Sequence, residues 1–292
     1  MRYQLENQVE RCLRAAGISP EQQVLLALSG GRDSVVLGEV LHRLEQRFAV
    51  AHVNYRLRGE ASEGDARWAA QLAASWGVAF HLEETHRTAL GANVQQGARE
   101  LRYAWMRALC AANGYRAVLT AHHLADQAET FLLAAFKGRG SRALAGMRMV
   151  NDSIIRPLLT THEQEIASYA ATHALEWRED ASNDQLNYDR NFIRHEVLPV
   201  IVQRFPEAKA LLAREAARLQ QLEALAAEQL AHWKARMVEE IDAYFHRWNL
   251  AGLPPMYASW VLGRMCAEMG LEQGAIDAVI GLCEKPVGRK TA

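Results

Sequence analysis

The sequence predicts an α/β protein: a doubly wound, parallel, five-stranded sheet followed by a smaller helical domain. Three observations carry that prediction. Short continuous apolar runs alternate with helical periodicity over residues 24–174, as in βαβ units whose strands are buried on both faces. Residue types that bind anions cluster where those runs end, and open α/β sheets take ligands beyond the carboxyl ends of their strands. After Pro206 the composition shifts to Ala, Leu, Glu, Gln and Arg, all compatible with long helix.

The elements follow in order. "VLLAL" (24–28) reads as the first strand and "SVVLGEVLHRLEQ" (34–46) as the helix behind it. "FAVAHV" (48–53) is the second strand. "SEGDARWAAQLAASWG" (62–77) is helical, with Ser62 as N-cap and Gly77 as its stop. "VAFHLEE" (78–84) and "NVQQGARELRYAWMRALCAANG" (93–114) give the third strand and a long helix. "AVLTAHH" (117–123) and "ADQAETFLLAAF" (125–136) give the fourth pair. "SIIRPLL" (153–159) is the fifth strand, with helical "HEQEIASYAATHA" (162–174) after it. From Pro206, placed at the first helical position, one long helix runs to Met237, and "PPMYASWVLGRMCAEMG" and "EQGAIDAVIGLCE" predict two more. The expected domains are 1–205 and 206–292.

Composition narrows the class. Half of the 292 residues are hydrophobic, enough for a sizeable core. A net charge of -1 gives no global attraction to nucleic acid, so a polyanionic partner must be held by local basic patches. The four cysteines form no CxxC pair, which argues against a zinc or iron–sulfur centre. The polar, amphipathic N-terminus does not read as a signal peptide, and no apolar run is long enough to span a bilayer; a cytoplasmic protein with no membrane partner is expected.

The stretch "ALSGGRDSVVL" (27–37) stands where the first strand meets a helix. It looks like a phosphate-binding turn but lacks the Lys of a Walker A loop. Two glycines let backbone N–H groups approach an anion, the helix N-terminus adds its dipole, and Ser29 and Ser34 add hydroxyls. An acid in such a turn repels phosphates unless a divalent cation intervenes. Asp33 therefore reads as a Mg2+ ligand or as a helix N-terminal cap.

"SGGRDS" resembles the pyrophosphate loop of the N-type ATP pyrophosphatases, the PP-loop superfamily. These enzymes cleave ATP between its α and β phosphates. Downstream, "AHVNYRLRGEASEGD" (51–65), "ARELRYAWM" (98–106), "TAHHLADQAETFLLAAFKGRGSRALAGM" (120–147), "IIRPLL" (154–159) and "WREDASNDQLNYDRNFIRHEVLP" (177–199) together resemble the tRNA(Ile)-lysidine synthase family. That resemblance implies ATP and Mg2+ as cofactors, and tRNA(Ile) with a CAU anticodon and free L-lysine as partners. It implies attack by O2 of the wobble cytidine on ATP, then replacement of AMP at C2 by the lysine ε-amine. A homodimer is left open.

Carried onto this sequence, the resemblance assigns ATP binding to Ala27, Leu28, Ser29, Gly30, Gly31, Arg32, Asp33, Ser34, His52 and His122. Asp33, Asp126, Arg102, His123 and Arg194 would be catalytic, and Asp33 and Asp126 would hold metal. Arg99, Tyr55, Arg58, Lys137, Arg139, Arg142 and Arg190 would meet tRNA or substrate. By their residue types alone, Asp126 reads equally as a helix cap, Glu129 as a solvated first-turn charge, Asn191 as a cap and the basic run around Gly138 as a solvated loop. Two positions depart from the family pattern: Ala125 where many members have Asp, and Tyr55 where many have His. Longer relatives carry a further small domain, so the sequence is either naturally short or truncated. The alternatives are another tRNA-modifying adenylase of this fold, such as a cytidine thiolase, or a catalytically weakened RNA-binding relative.

Overall fold

The computed structural model describes residues 3–56, 59–85, 94–178, 189–240, 246–248, 255–271 and 273–283. Arg58 and residues 179–188 of the last family string lie outside them. The chain divides into two compact units, Met1–Gln220 and Gln221–Ala292. The division falls inside a helix rather than at the composition change near residue 206.

The first unit is an α/β sandwich. Its elements are α1 (Gln4–Ala15), β1 (Val24–Ala27), α2 (Arg32–Arg43), β2 (Phe48–Asn54), α3 (Glu60–Ser75), β3 (Phe80–Glu84), α4 (Val94–Asn113), β4 (Val118–Leu119), α5 (Leu124–Phe136), α6 (Gly140–Leu144), β5 (Val150–Asn151), β6 (Ile154–Ile155) and α7 (Glu163–Thr172). The strand order is β3-β2-β1-β4-β6-β5. All neighbours pair in parallel except β5 with β6. The sheet therefore has the five expected parallel strands plus a short antiparallel edge. That edge is a hairpin turned at Asp152, whose φ of +50° suits a residue tolerant of the left-handed region.

Alternation along the strands fills both faces, as the period of two requires. Val24, Leu26, Phe48, Val50, Leu119 and Ile155 join the core shared with α1, α2 and α7. Leu25, Ala49, Ala51, Val118 and Ile154 face Tyr103, Met106 and Cys110 of α4. Gly38 on α2 allows Trp76 to lie against the helix: a Cβ there would stand 2.3 Å from Cη2 of Trp76. Buried Glu6 of α1 accepts hydrogen bonds from Arg43 of α2 and the Tyr169 hydroxyl of α7, at 3.0 and 2.9 Å, which joins three helices on that face.

Several boundaries differ from the sequence reading for local reasons. Gly59, not Ser62, precedes α3, and Ser62 is buried inside the first turn. The fifth parallel strand is only Ile154–Ile155, because Pro157 cannot donate to a ladder. Residues 189–204 are helical: α8 (Asp189–Phe192), a π-turn (Ile193–Val197) and α9 (Leu198–Arg204). Pro199 lacks an N–H and crowds the preceding turn, which accounts for the wide π-turn there.

The helix α10 (Ala208–Met237) begins two residues after Pro206, not at it. Leu212, near its start, packs with Ala128, Leu132, Ile193 and Leu198 in the first unit. Within the second unit, Leu230 packs with Val261 and Met265 of α11 (Pro255–Glu268), and Arg264 pairs with Glu223. A hairpin of β7 (Val238–Glu240) and β8 (His246–Trp248) and the helix α12 (Gln273–Cys283) complete it; only the helices were expected.

Candidate active site

The chain leaves β1 towards β2 on one side and returns to β4 on the other. The crevice beyond the carboxyl ends of β1 and β4 is thus a topological switch point, where sheets of this class take ligands. Residues 28–34 and His122–His123 both arrive there. The sequence placed its motifs at these strand ends, and the topology brings them together.

The turn after β1 is built for close approach. Gly30 has φ +94°, a backbone other residues rarely adopt, and Gly31 precedes the first turn of α2. Ser34 Oγ donates to the Gly31 carbonyl at 2.8 Å and lies 3.1 Å from Ser29 Oγ. The Gly30 carbonyl accepts the Arg178 N–H at 2.9 Å. His52 is buried and its Nδ1 sits 2.8 Å from the Leu28 carbonyl. Burial pushes the His52 pKa down, so a neutral ring pins the turn to β2. Its side chain thus meets the loop backbone, a supporting place for a residue expected among the ATP ligands.

Beside this turn lies a chain of charges. His123 Nε2 stands 3.3 Å from Asp33 Oδ2 and 3.7 Å from Asp126 Oδ2. Burial opposes its protonation, but Asp33 and Asp126 outweigh burial and raise its pKa. Burial likewise works against the charged form of Asp33; His123 and Arg32 hold its pKa down nonetheless, with Arg32 Nε 3.0 Å away. Asp126 Oδ2 accepts the backbone N–H of His123 at 2.9 Å, so Asp126 does cap α5. Its Oδ1 accepts from Arg190 at 2.9 Å and Arg194 at 3.0 Å. Against the effect of burial, His123, Arg190 and His122 bring the Asp126 pKa down to about 2.

Glu129 is not the solvated charge that its sequence position allowed. It is 1% exposed and accepts from Arg190 Nε at 2.8 Å and from Arg194 at 2.5 and 2.9 Å. Two carboxylates one turn apart on α5 thus grip two arginines one turn apart on the 189–197 segment. The Asp126–Glu129 and Arg190–Arg194 spacings were visible in the sequence; their pairing was not. Asn191, read as a cap, lies inside α8.

The remaining expected residues fall into two groups. Arg99 and Arg102 on α4 lie over the Tyr103 ring, 5.3 and 5.4 Å from its centroid. Tyr55 donates its hydroxyl to the Ala98 carbonyl at 3.1 Å, tying the end of β2 to α4. His122 is held by Thr120 at 2.9 Å, and burial with Arg156, Arg190 and Arg102 pushes its pKa down to about 3 despite Asp126. In the run after α5, Lys137 pairs with Asp189, while Arg139 and Arg142 are exposed and, among the described residues, without a carboxylate partner. Phe136, 67% exposed, adds an aromatic face to that run.

No group of three or more His, Cys, Asp or Glu that could hold a metal occurs among the described residues. Mg2+ keeps several waters and commonly takes one or two carboxylates with substrate phosphates. Asp33, in the phosphate turn and facing His123, fits that requirement. Asp126 is the less open of the two: its side chain is 11% exposed against 29% for Asp33, and two arginines share its Oδ1.

A glycine turn after the first parallel strand, opening a helix at the switch point, defines a nucleotide-binding α/β protein of the phosphate-loop kind. The chain belongs to the PP-loop domain family, whose model matches residues 1–201. Among curated proteins it is similar to tRNA(Ile)-lysidine synthases: 39% identical over 209 residues to that of Chlorobaculum tepidum (69% of this chain, 62% of the relative). It is 38% identical over 216 residues to that of Haemophilus ducreyi (72% and 50%) and 40% over 209 residues to that of Thermus thermophilus (70% and 40%). The chain thus spans less than two thirds of these relatives. Its fold resembles the U34-tRNA thiolase NcsA of Methanococcus maripaludis, at 18% identity and TM-score 0.63, covering 74% of this chain and 78% of that one. Among the described residues no helix is long and apolar enough to cross a membrane.

Proposed function

We propose that this chain ligates L-lysine to C2 of the wobble cytidine of a tRNA(Ile) CAU anticodon, using ATP and releasing pyrophosphate and AMP. The observation that carries this reading is the meeting of the phosphate turn with an acid–arginine cluster through His123, in a chain so similar to lysidine synthases.

The first step has cytidine O2 attack the α phosphorus while pyrophosphate leaves. The Gly30–Gly31 backbone, the Ser34 hydroxyl and the N-terminus of α2 hold the β and γ phosphates. Protonated His123 and Arg32 add positive charge, and Asp33 would hold Mg2+, which neutralises phosphate charge. The second step has the neutral lysine ε-amine attack C2: the C2–N bond forms as the C2–O2 bond breaks, AMP leaves carrying O2, and the proton shed by the nitrogen passes to a carboxylate beside it. Asp126 and Glu129, held in place by Arg190 and Arg194, attract and orient the nitrogen. The exposed Phe136, Arg139 and Arg142 suit a nucleic-acid backbone with an unstacked base.

The competing sulfur-transfer reading needs a reactive thiol. Among the described residues Cys12, Cys110 and Cys266 are buried, and burial pushes the Cys12 and Cys110 thiols up to about 11, which disfavours the reactive thiolate. The test is pyrophosphate release with tRNA(Ile), with and without lysine, read together with incorporation of labelled lysine. Lysine incorporation is expected; turnover without it overturns the reading.

A further inference from the structure

Arg156 follows β6 at the carboxyl edge of the sheet and is 4% exposed. One Nη donates to the Arg148 carbonyl at 2.8 Å. Its Nε is buried without a hydrogen-bond partner, and so is the hydroxyl of Tyr103. Burial opposes the charge on Arg156, as does Arg99, while the Tyr103 hydroxyl favours it from beside the guanidinium without making a well-formed hydrogen bond. Arg99 and Arg102 flank the same tyrosine, and among the described residues no carboxylate pairs with any of the three arginines. A buried cation with an orphaned donor is costly and is ordinarily matched by an anion. Among the described residues the fold provides none here.

The neighbourhood indicates where that anion comes from. Parallel pairing of Leu119 with Ile155 sets Arg156 beside Thr120, whose hydroxyl lies 2.9 Å from His122, and Asp126 stands in the first turn of α5 just beyond. The carboxylates of α5 and the guanidinium of Arg156 thus form two poles at the same end of the sheet. A molecule that carries an amine and a carboxylate at opposite ends complements both poles. A simple diamine complements only the first.

We propose that Arg156, with the Tyr103 hydroxyl, receives the α-carboxylate of the amino-acid substrate and so selects an α-amino acid over a plain amine. This rests on the lysine-ligating reading above. Arg156 Nε and Tyr103 Oη donate to the carboxylate, while the distal amine is directed to Asp126 and Glu129. The orphaned donors are then satisfied when substrate is bound.

The test uses the full chain with ATP and tRNA(Ile), and compares L-lysine, L-lysinamide and cadaverine as amines. The parent is expected to use L-lysine far better than either analogue. Arg156→Met, close in size and apolar, should raise the lysine KM by about 10- to 150-fold, the worth of a charged hydrogen bond. Its preference for lysine over cadaverine should fall by a similar factor. Tyr103→Phe, a gentler change that keeps the ring under Arg99 and Arg102, should move the lysine KM in the same direction by a smaller factor; it decides the matter if Arg156→Met does not fold. Calorimetry with L-lysine alone gives a readout separate from turnover. Equal use of lysine and lysinamide by the parent, or an unchanged lysine KM in a folded variant, overturns the assignment of Arg156. Absence of any lysine-dependent product in the parent overturns the ligase reading itself, and this assignment with it.

Discussion

Replacing Asp126 by Asn separates the two things this side chain does. At the third helical position an amide oxygen accepts from the N-cap N–H as a carboxylate does, so the bond to the His123 N–H survives. The charge that faces His123, Arg190 and Arg194 does not. A folded-state pKa of about 2, against the ordinary 3.8, corresponds to roughly 2 kcal/mol. The side chain is 11% exposed, so solvent screening removes little of this. In a unit of about this size each kcal/mol moves Tm by about 2–4 °C, so a fall of roughly 4–8 °C is expected at pH 7. Because the folded pKa is depressed, the contribution is present above about pH 4 and fades as pH falls towards 2. The parent and Asp126→Asn should therefore differ in Tm at neutral pH and converge in acid. Thermal melts monitored by circular dichroism between pH 2.5 and 7.5, beside lysine-dependent AMP formation, make the measurement. Melting curves that coincide at every pH would refute the ion-pair argument and leave Asp126 as a cap alone; full activity in the variant would remove its carboxylate from the chemistry.

Three further outcomes are expected. Asp33→Ala should abolish pyrophosphate release while the protein stays folded, since Asp33 is partly exposed and packs no core; normal release in a folded variant contradicts its role at the phosphates. Replacing Lys137, Arg139 and Arg142 together should weaken tRNA binding and flatten the plot of log affinity against log salt by about 0.7–0.9 for each phosphate that is no longer neutralised. Most of the change should come from the two arginines, because Lys137 is already paired with Asp189; an unchanged slope takes this loop off the RNA path. Gly38→Ala gains up to about 1 kcal/mol in helix propensity but drives a Cβ to 2.3 Å from Trp76 and 3.0 Å from buried Leu26. Overpacking of about 1–3 kcal/mol should win, and a variant that melts higher than the parent contradicts that packing argument.

The parallel strands are legible in the sequence because burial on both faces leaves continuous apolar runs. The turn at 29–34 is legible because two glycines and an acid at a strand end have few structural uses. What depends on distant partners is not. Glu129 is polar in any local reading; only Arg190 and Arg194, 61 and 65 residues away, make it a buried node. The helical stretch 189–204 escapes a sequence reading because a π-turn and Pro199 break the 3.6-residue period by which helices are recognised. The β5–β6 hairpin escapes it because two residues per strand show no alternation. Arg156 stands inside "IIRPLL", yet nothing local shows that its guanidinium folds inward.

The puzzle of an acid in a phosphate turn resolves in the charge balance around it. Asp33, Asp126 and Glu129 bring three negative charges to the switch point. Arg32, Arg190 and Arg194 match them one for one, and His123, its pKa raised between two of the acids, tips the cluster positive when protonated. Each carboxylate therefore arrives already neutralised, and approaching polyphosphate meets a field that is slightly attractive rather than repulsive. The acids in turn keep the arginines extended towards the crevice instead of free in solvent, so that the cations are in place before an anion binds. Ala125 fits this balance. A further carboxylate beside Asp126, as many lysidine synthases have, would add a charge to a 2% exposed position on the same helix, and His123 would stand as the cation nearest in sequence to answer it. With Ala125 in place, the one remaining acid of the pair is held by two arginines and serves both as helix cap and as charge, which is why its replacement by an uncharged cap is the sharpest probe of the site.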